Sequence, residues 1–299
     1  MNQLTRELTK DVQLLVGKIL SLEAIPGGIT NRNYKLQAAS GTYMLRVPGE
    51  RTELLGIDRK CEFECSSTAY SVGIGAQPVA YLQIHGALFT RYLENAETLT
   101  IPRAKMQLEA ILNALKKIHA APAFPKSFSA FETIRNYHQL ALEHHVKFPK
   151  DTTQILEQLQ HIKAILEPHA VIVPCHNDLL PANILVTNQL WIVDWEYASN
   201  GNCAFDLGNL AANLELNELE LFELIKHYYG ATNSILLAQV QLMRLVSDAR
   251  EAFWGYLQSG ISSLEFDFME YGHKHLERFR NGTSRADYTT WLGVLSFIP

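Results

Sequence analysis

Hydrophobic and polar positions follow different patterns in the two parts of the chain. In the first part, apolar and polar residues alternate as in half-buried strands, around a turn at Ser40 and Gly41. From Ile101 onward, apolar residues recur every three or four positions, which predicts helices. The strands predicted in the first part cover residues 33–37, 43–47, 78–84 and 87–93.

Local signals mark the ends of several predicted helices. An amphipathic helix opens the chain, and Asp58 is a candidate N-cap for a second helix over 58–71. Ser262 and Glu265 have the spacing of a capping box, which predicts a helix start at that point. Further helices are predicted over 131–147, 153–167 and most of 204–296, and short strands over 171–173, 184–186 and 191–193.

The order of these elements predicts an α+β protein with two lobes. Residues 1–93 form the smaller lobe, which is built on an antiparallel β-sheet, and residues 94–299 form the larger, mainly helical lobe. The connector between them is expected at 94–98.

Composition narrows the classes of protein that the chain can belong to. Its 26 basic and 31 acidic residues give a formal charge of −5, which argues against a nucleic-acid partner bound through the whole surface. No apolar run has the length of a membrane span, and the first residues lack the apolar segment of a signal peptide, so a cytoplasmic protein is expected. The four cysteines form no metal-binding spacing. Oligomeric state is left open.

The strongest chemical signal lies between the short strands of the second part. His176 and Asp178 follow one strand, Asn183 comes after four further residues, and Asp194 ends the next strand pair. This is the catalytic-loop pattern of protein kinases and their small-molecule relatives. Asp178 is predicted to orient the hydroxyl group of the acceptor, whereas Asn183 and Asp194 are predicted to hold Mg²⁺ on the phosphates of ATP. His176 is assigned a structural role in the loop.

A glycine-containing segment in the smaller lobe is a candidate for the phosphate-binding loop. Gly27 and Gly28 allow the backbone to approach phosphates closely, and Thr30 and Asn31 are candidate donors to them.

A basic residue on a predicted strand follows that segment. Arg46 stands where protein kinases have their strand-three lysine, and Glu62 in the next predicted helix is its candidate partner. Because a guanidinium group can bind phosphate and carboxylate oxygens together, Arg46 is expected to contact the nucleotide.

These motifs together resemble the choline/ethanolamine kinase branch of the aminoglycoside phosphotransferase-like kinases. The resemblance extends from Ile25 to about Arg278 and rests on Leu45–Gly49, Asp194–Tyr197 and Phe205–Asn209, besides the stretch from Phe253 to Tyr271. It implies a protein-kinase-like fold. It also implies that the chain phosphorylates the hydroxyl group of a small cationic alcohol, choline or ethanolamine, at the expense of ATP.

The same resemblance assigns a pocket for the cationic head group. It places aromatic residues of the pocket at Tyr197, Trp254 and Tyr271. The family has a second tryptophan three residues before Trp254, where this chain has Glu251, so the pocket is expected to be less aromatic and more acidic. Aromatic faces suit a quaternary ammonium group, whereas a carboxylate suits a primary one.

Two further assignments come from the resemblance alone. Backbone groups of the segment between the lobes bind adenine in the family, and these positions correspond to Tyr92, Leu93 and Glu94. Asp206 corresponds to a residue that braces the catalytic loop.

Three alternatives stay open at this stage. Thiamine kinases and aminoglycoside phosphotransferases share the fold, and thiamine is also a cationic primary alcohol. The third alternative is a catalytically silent module that binds nucleotide or choline. The intact set of Asp178, Asn183 and Asp194 argues against this last alternative.

Overall fold

A five-stranded antiparallel sheet with two helices forms the amino-terminal lobe of the protein. The computed structural model describes residues 4–26 and 30–296. The strands have the spatial order β1-β2-β3-β5-β4. In chain order the elements of this lobe are α1 (Arg6–Val16), β1 (Ile19–Ile25), β2 (Asn31–Ala38), β3 (Gly41–Pro48), α2 (Arg59–Ser71), β4 (Pro78–Leu82) and β5 (Ala87–Arg91).

Alternating side chains pack this sheet against the first helix. Strands β2 and β3 pair in register from Asn31 opposite Pro48 to Ala38 opposite Gly41, as the predicted hairpin requires. Because α1 is amphipathic, its buried positions pack on the apolar face of the sheet. The buried residues of this core are Leu8, Val12, Val16, Tyr34, Leu36, Leu45 and Phe89, with Ala38, Tyr43 and Ala87.

The remaining chain is mainly helical and forms the carboxy-terminal lobe. It begins with β6 (Glu97–Thr98), α3 (Ile101–Met106), α4 (Leu108–His119), α5 (Ala130–Glu143) and α6 (Thr152–Leu166). Four short strands follow: β7 (Ile172–Cys175), β8 (Ile184–Val186), β9 (Leu190–Ile192) and β10 (Ser199–Asn202). The last helices are α7 (Cys203–Asn213), α8 (Glu218–Tyr229), α9 (Ser234–Ile261), α10 (Phe268–Thr283) and α11 (Ala286–Ser296).

The short strands hold two loops in place. Strand β7 pairs with β10, and β8 pairs with both β6 and β9, in each case antiparallel. One loop, residues 176–183, therefore runs from β7 to β8, and the other, residues 193–198, runs from β9 to β10. These two loops carry most of the predicted catalytic residues.

Helix α9 forms the centre of the carboxy-terminal lobe. It is 28 residues long and packs against α5, α7, α10 and α11. Nearly every position from Val240 to Gln258 is buried, including several polar and charged side chains. Because burial of a charged group requires a partner, these polar positions indicate an internal network.

The structure corrects one predicted helix start. Asp58 is the N-cap of α2, as predicted, but Ser262 and Glu265 do not form a capping box. Helix α9 continues to Ile261, and Ser262 is its C-cap, so residues 262–267 are a loop. Helix α10 begins at Phe268, and its cap is Asp267, whose side chain accepts the N–H of Glu270 at 2.9 Å.

The fold class is confirmed, and smaller boundaries shift. The strand predicted over 78–84 ends at Leu82, and the one predicted over 191–193 is Leu190–Ile192. The division of the chain at residue 93 stays a prediction. Among the helices of the described residues, none combines the length and apolarity needed to cross a bilayer.

Candidate active site

The loop after β7 places Asp178 at a buried position between the lobes. The side-chain nitrogen of Asn183 donates to the backbone carbonyl of Asp178 at 2.9 Å and to its carboxylate at 3.3 Å. The ring of His176 accepts the N–H of Asp178 at 3.2 Å and lies 3.0 Å from the carbonyl of Val193. These bonds confirm the structural role predicted for His176, because they tie the two loops together.

A buried carboxylate holds the same loop, residues 176–183, through hydrogen bonds to its backbone. Asp206 of α7 accepts the backbone N–H groups of His176 and Asn177 at 2.9 and 2.7 Å. Its Oδ2 atom also lies 3.0 Å from the ring of His119. Asn177 has a positive φ of 64°, a conformation that non-glycine residues rarely adopt and that surrounding bonds must hold. Asp206 therefore holds the catalytic loop, as the resemblance predicted.

Asp194 follows β9 and contacts the amino-terminal lobe. Its φ of 68° turns the chain sharply after the strand. Nη1 of Arg46 on β3 contacts the carboxylate of Asp194 and donates to Glu62 of α2 at 2.7 Å. Burial acts to lower the pKa of Arg46, but the carboxylates of Asp194, Glu62 and Glu196 raise it, so the guanidinium group is charged. The predicted pair of Arg46 and Glu62 is confirmed.

A second ion pair joins the lobes beside the first. Arg59, the first residue of α2, donates to Glu62 at 2.7 Å, to Glu196 at 2.9 Å and to the side-chain oxygen of Asn31 at 2.6 Å. The side-chain nitrogen of Asn31 donates to Glu196 at 2.7 Å. Asn31 thus uses both ends of its amide within the protein, and the phosphate contact predicted for it stays a prediction.

The residues assigned to the head-group pocket lie together. The indole nitrogen of Trp254 donates to the hydroxyl of Tyr197 at 3.1 Å, and its ring centroid lies 5.6 Å from that of Tyr271. The hydroxyl of Tyr271 donates to Glu251 at 2.7 Å. Three separate elements thus meet here: the loop after β9, helix α9 and helix α10.

An arginine that sequence reasoning missed connects this pocket to Asp178. Nη2 of Arg250 donates to the carbonyl of Asn177 at 2.6 Å and to the carboxylate of Asp178 at 3.2 Å. Nη1 donates to Glu251 at 2.7 Å. The guanidinium carbon lies 4.9 Å from the ring centroid of Tyr197, which is the geometry of a cation–π contact.

The surroundings of Asp178 alter its acidity. Burial raises the pKa of its carboxyl to about 7, with the Arg250 guanidinium acting in the opposite direction and Glu251 and Asp194 adding to the rise. A carboxylate with a raised pKa is a better proton acceptor, which suits the role predicted for Asp178.

The structure gives less information on the other residues that were predicted to bind the nucleotide. Gly27 and Gly28 lie outside the described residues. The carbonyl of Thr30 accepts the N–H of Gly49 at 3.1 Å, and Thr30 lines a groove between the lobes. Tyr92 and Leu93 directly follow β5, and the ammonium group of Lys35 lies 4.3 Å from the ring centroid of Tyr92. These five positions stay predictions for the nucleotide site.

Three charged residues of the site were not predicted from the sequence. Glu196 lay within the segment Asp194–Tyr197 but received no role, and Arg59 and Arg250 were not singled out. The available signal for Arg250 was a basic residue close to two acidic ones, Asp248 and Glu251, inside a mainly apolar helical stretch from Leu245 to Leu257. Charged residues are seldom buried without partners, so such an interruption points to an internal ion pair.

Sequence comparisons with known proteins identify the family of the chain. The family model described as "Phosphotransferase enzyme family" matches residues 21–235. Protein LicA of Haemophilus influenzae is 28% identical over 225 residues, covering 72% of this chain and 65% of that relative. Human ethanolamine kinase 2 is 27% identical over 279 residues, covering 82% of this chain and 71% of the relative.

Solved structures show the same fold. A choline/ethanolamine kinase family protein from Mesorhizobium loti has a TM-score of 0.81 at 24% identity, with 96% of this chain and 99% of that chain covered. A structure of LicA in complex with AMP has a TM-score of 0.79 at 22% identity, covering 96% and 98% of the two chains. The protein has a protein-kinase-like fold, and its chain belongs to the phosphotransferase enzyme family.

Proposed function

We propose that the protein transfers the γ-phosphoryl group of ATP to the hydroxyl group of a small amino alcohol, choline or ethanolamine. The observation that carries this proposal is the connection, through Arg250, between the buried Asp178 and the aromatic and acidic cluster of Tyr197, Trp254, Tyr271 and Glu251. Relatives named ethanolamine kinase and a neighbour named as a choline/ethanolamine kinase family protein support the same class of acceptor.

Asp178 is proposed to orient the attacking hydroxyl group and to accept its proton. Asn183 and Arg250 hold the carboxylate from two sides, so that it is positioned before the acceptor binds. In phosphoryl transfer such positioning and electrostatic stabilisation provide most of the rate enhancement.

The oxygen atoms near Asp178 fit a magnesium ion. The amide nitrogen of Asn183 donates a hydrogen bond to Asp178, which leaves the amide oxygen for a cation. The carboxylate of Asp194 would supply a second oxygen ligand. Mg²⁺ prefers ligands of this kind, together with phosphate oxygens. When bound, the ion offsets the negative charge of the phosphates.

Arg46 is proposed to bind phosphate oxygens of the nucleotide beside this metal site. Gly27, Gly28 and Thr30 are proposed to cover the phosphates, and the backbone of Tyr92 and Leu93 to bind adenine. Asn31 is proposed to contact the phosphates as well, and its hydrogen bonds to Arg59 and Glu196 hold its side chain at the start of β2.

A panel of acceptors tests the proposal. ADP release would be followed with choline, ethanolamine, thiamine and an aminoglycoside, each at saturating Mg·ATP. Turnover of choline or ethanolamine at the highest kcat/KM is expected. A higher kcat/KM with thiamine or the aminoglycoside would contradict the proposed acceptor but support the proposed phosphoryl transfer.

The proposal also requires a nucleotide site, and calorimetry with Mg·ATP provides an independent check. Binding of Mg·ATP without turnover of any acceptor would favour the silent binding module. Absence of binding would contradict the proposal altogether.

A further inference from the structure

The cluster of side chains proposed to bind the acceptor contains a cation that belongs to the protein itself. Arg250 is 2% exposed, and its two terminal nitrogens contact Glu251, Asp178 and the carbonyl of Asn177. Burial acts to lower the pKa of Arg250, but the carboxylates of Glu251 and Asp178 raise it, so the group is charged throughout the physiological range.

This guanidinium group occupies one of the aromatic faces of the pocket. Its central carbon lies 4.9 Å from the ring centroid of Tyr197. A ligand cation placed against the same face of Tyr197 would lie close to a like charge, in a region where burial reduces solvent screening.

The second large aromatic ring of the pocket is also engaged by the protein. Trp254 is 5% exposed, and its ring centroid lies 5.7 Å from that of Phe268 and 5.6 Å from that of Tyr271, both edge-on. Its N–H group donates to Tyr197. Trp254 therefore has little free ring surface to offer a trimethylammonium group.

The carboxylate of Glu251 retains capacity to accept hydrogen bonds. One oxygen accepts from Arg250 and the other accepts from Tyr271. A carboxylate offers about four lone-pair positions, so each oxygen can accept one more donor. A primary ammonium group has three N–H donors, whereas a quaternary one has none.

We propose that Arg250 is a specificity-determining residue that makes the pocket select an acceptor with a primary ammonium group over one with a quaternary ammonium group. The inference rests on the proposed function, because it concerns the acceptor of the same reaction. Arg250 covers the face of Tyr197, so a bulky cation cannot bind against that ring. Its hydrogen bond also holds the carboxylate of Glu251 where a small ammonium group can donate to it.

The test compares ethanolamine with its N,N,N-trimethyl derivative, choline. The measured quantity is the ratio of kcat/KM for the two acceptors in the wild type and in Arg250→Gln. The wild type is expected to favour ethanolamine. Loss of the guanidinium group frees the ring of Tyr197 and removes the like charge, so the ratio is expected to shift toward choline by about tenfold or more.

The ratio of kcat/KM for the two acceptors separates a change in specificity from a loss of activity that affects both acceptors equally. Arg250→Gln is also expected to lower kcat with both acceptors, since Asp178 loses a partner. Arg250→Lys retains the charge and is expected to keep the preference for ethanolamine. Arg244→Gln is the matched control, because Arg244 lies on the same helix and donates to the carbonyl of Leu216, away from the pocket. It should leave the ratio unchanged.

If turnover of Arg250→Gln is too slow to measure, calorimetry of both acceptors in the presence of Mg·ADP gives the ratio of their dissociation constants, which measures the preference at the binding step. A wild type that prefers choline, or a ratio that Arg250→Gln leaves within about twofold of the wild type, would overturn the inference while leaving the proposed function intact. Turnover of neither acceptor by the wild type would overturn both.

Discussion

Nη1 of Arg59, at the start of α2, lies 2.9 Å from Oε2 of Glu196, in the loop that follows β9. Both side chains are almost completely buried. The pair joins the helix that carries Glu62 to the segment that carries Asp194. The two proposed nucleotide-binding elements are therefore held together by the protein before any ligand binds.

Removal of one member of this pair should destabilise the protein and weaken nucleotide binding. Arg59→Ala leaves Glu196 buried without its charged partner, so the free energy of unfolding is expected to fall by about 3 kcal/mol. KM for ATP should rise, because Asn31 and Glu62 lose a common donor. Denaturant unfolding and steady-state kinetics measure the two effects.

Lys60→Ala is the matched control for Arg59→Ala. Lys60 is the next residue of α2, and its side chain is 76% exposed and 3.8 Å from Glu64. An exposed pair of this kind contributes little to stability, so this variant should behave like the wild type. Equal effects of the two substitutions would contradict the structural role of Arg59.

Asp178→Asn tests the proposed proton acceptor with minimal change in shape. Turnover is expected to fall by roughly 10²–10⁴-fold, the usual contribution of a general base. The dissociation constant of Mg·ATP, measured by calorimetry, should change little. Asp287→Asn on the exposed surface of α11 serves as the control. A variant with near-normal turnover would remove Asp178 from the mechanism.

Two substitutions of Asn183 separate metal binding from the support of Asp178. Asn183→Ala loses both the oxygen ligand and the donor, and the Mg²⁺ concentration for half-maximal activity should rise by about tenfold or more. Asn183→Asp keeps an oxygen ligand but cannot donate, so it should retain affinity for Mg²⁺ with a lower kcat. Chelation of the metal should abolish turnover of the wild type. Identical Mg²⁺ titrations for both variants would argue against a ligand at this position.

Asp206 should make the stability of the protein depend on pH in the acid range. Burial acts to raise its pKa, but hydrogen bonds from His119 and from the backbone of His176 lower it below the usual value. A carboxylate with a lowered pKa in the folded state stabilises the fold above its unfolded pKa of ~4, and this contribution is lost as pH falls through the folded value.

Asp206→Asn removes this charged acceptor from a fully buried site. At pH 7 its free energy of unfolding is expected to be lower by about 2–4 kcal/mol, because two backbone N–H groups lose a charged partner. The difference from the wild type should shrink as pH falls. Thermal unfolding between neutral and acid pH measures it, and a difference that stays constant with pH would contradict the ionised state of Asp206.

The sequence was most informative where the proposed catalytic residues lie close together in the chain. Asp178, Asn183 and Asp194 occupy a short strand–loop–strand segment, so their spacing alone predicts their proximity. The pair of Arg46 and Glu62 was predicted because both residues occupy defined positions in a known pattern. Strands and helices with clear periodicity were also predicted, since burial of one face determines both.

Contacts between distant segments of the chain could not be predicted from the spacing of residues. Arg250 meets Asp178 across 72 residues of sequence, and Arg59 meets Glu196 across 137. No local pattern records such partners, and an arginine in a helix is usually exposed. The capping box at Ser262 was wrong for a related reason: its spacing is satisfied locally, but the packing of α9 extends the preceding helix to Ile261.

The position of Arg250, Glu251 and Trp254 on α9 has an evolutionary consequence. The residues proposed to select the acceptor are also residues of the protein core, so a substitution that alters selectivity there should also reduce stability. The loop of residues 262–267 is under less constraint, since Leu264 and Phe266 are 49% and 43% exposed, and Phe266 lies beside Tyr271. Divergence toward new acceptors within this lineage should therefore accumulate in that loop first, while α9 changes slowly.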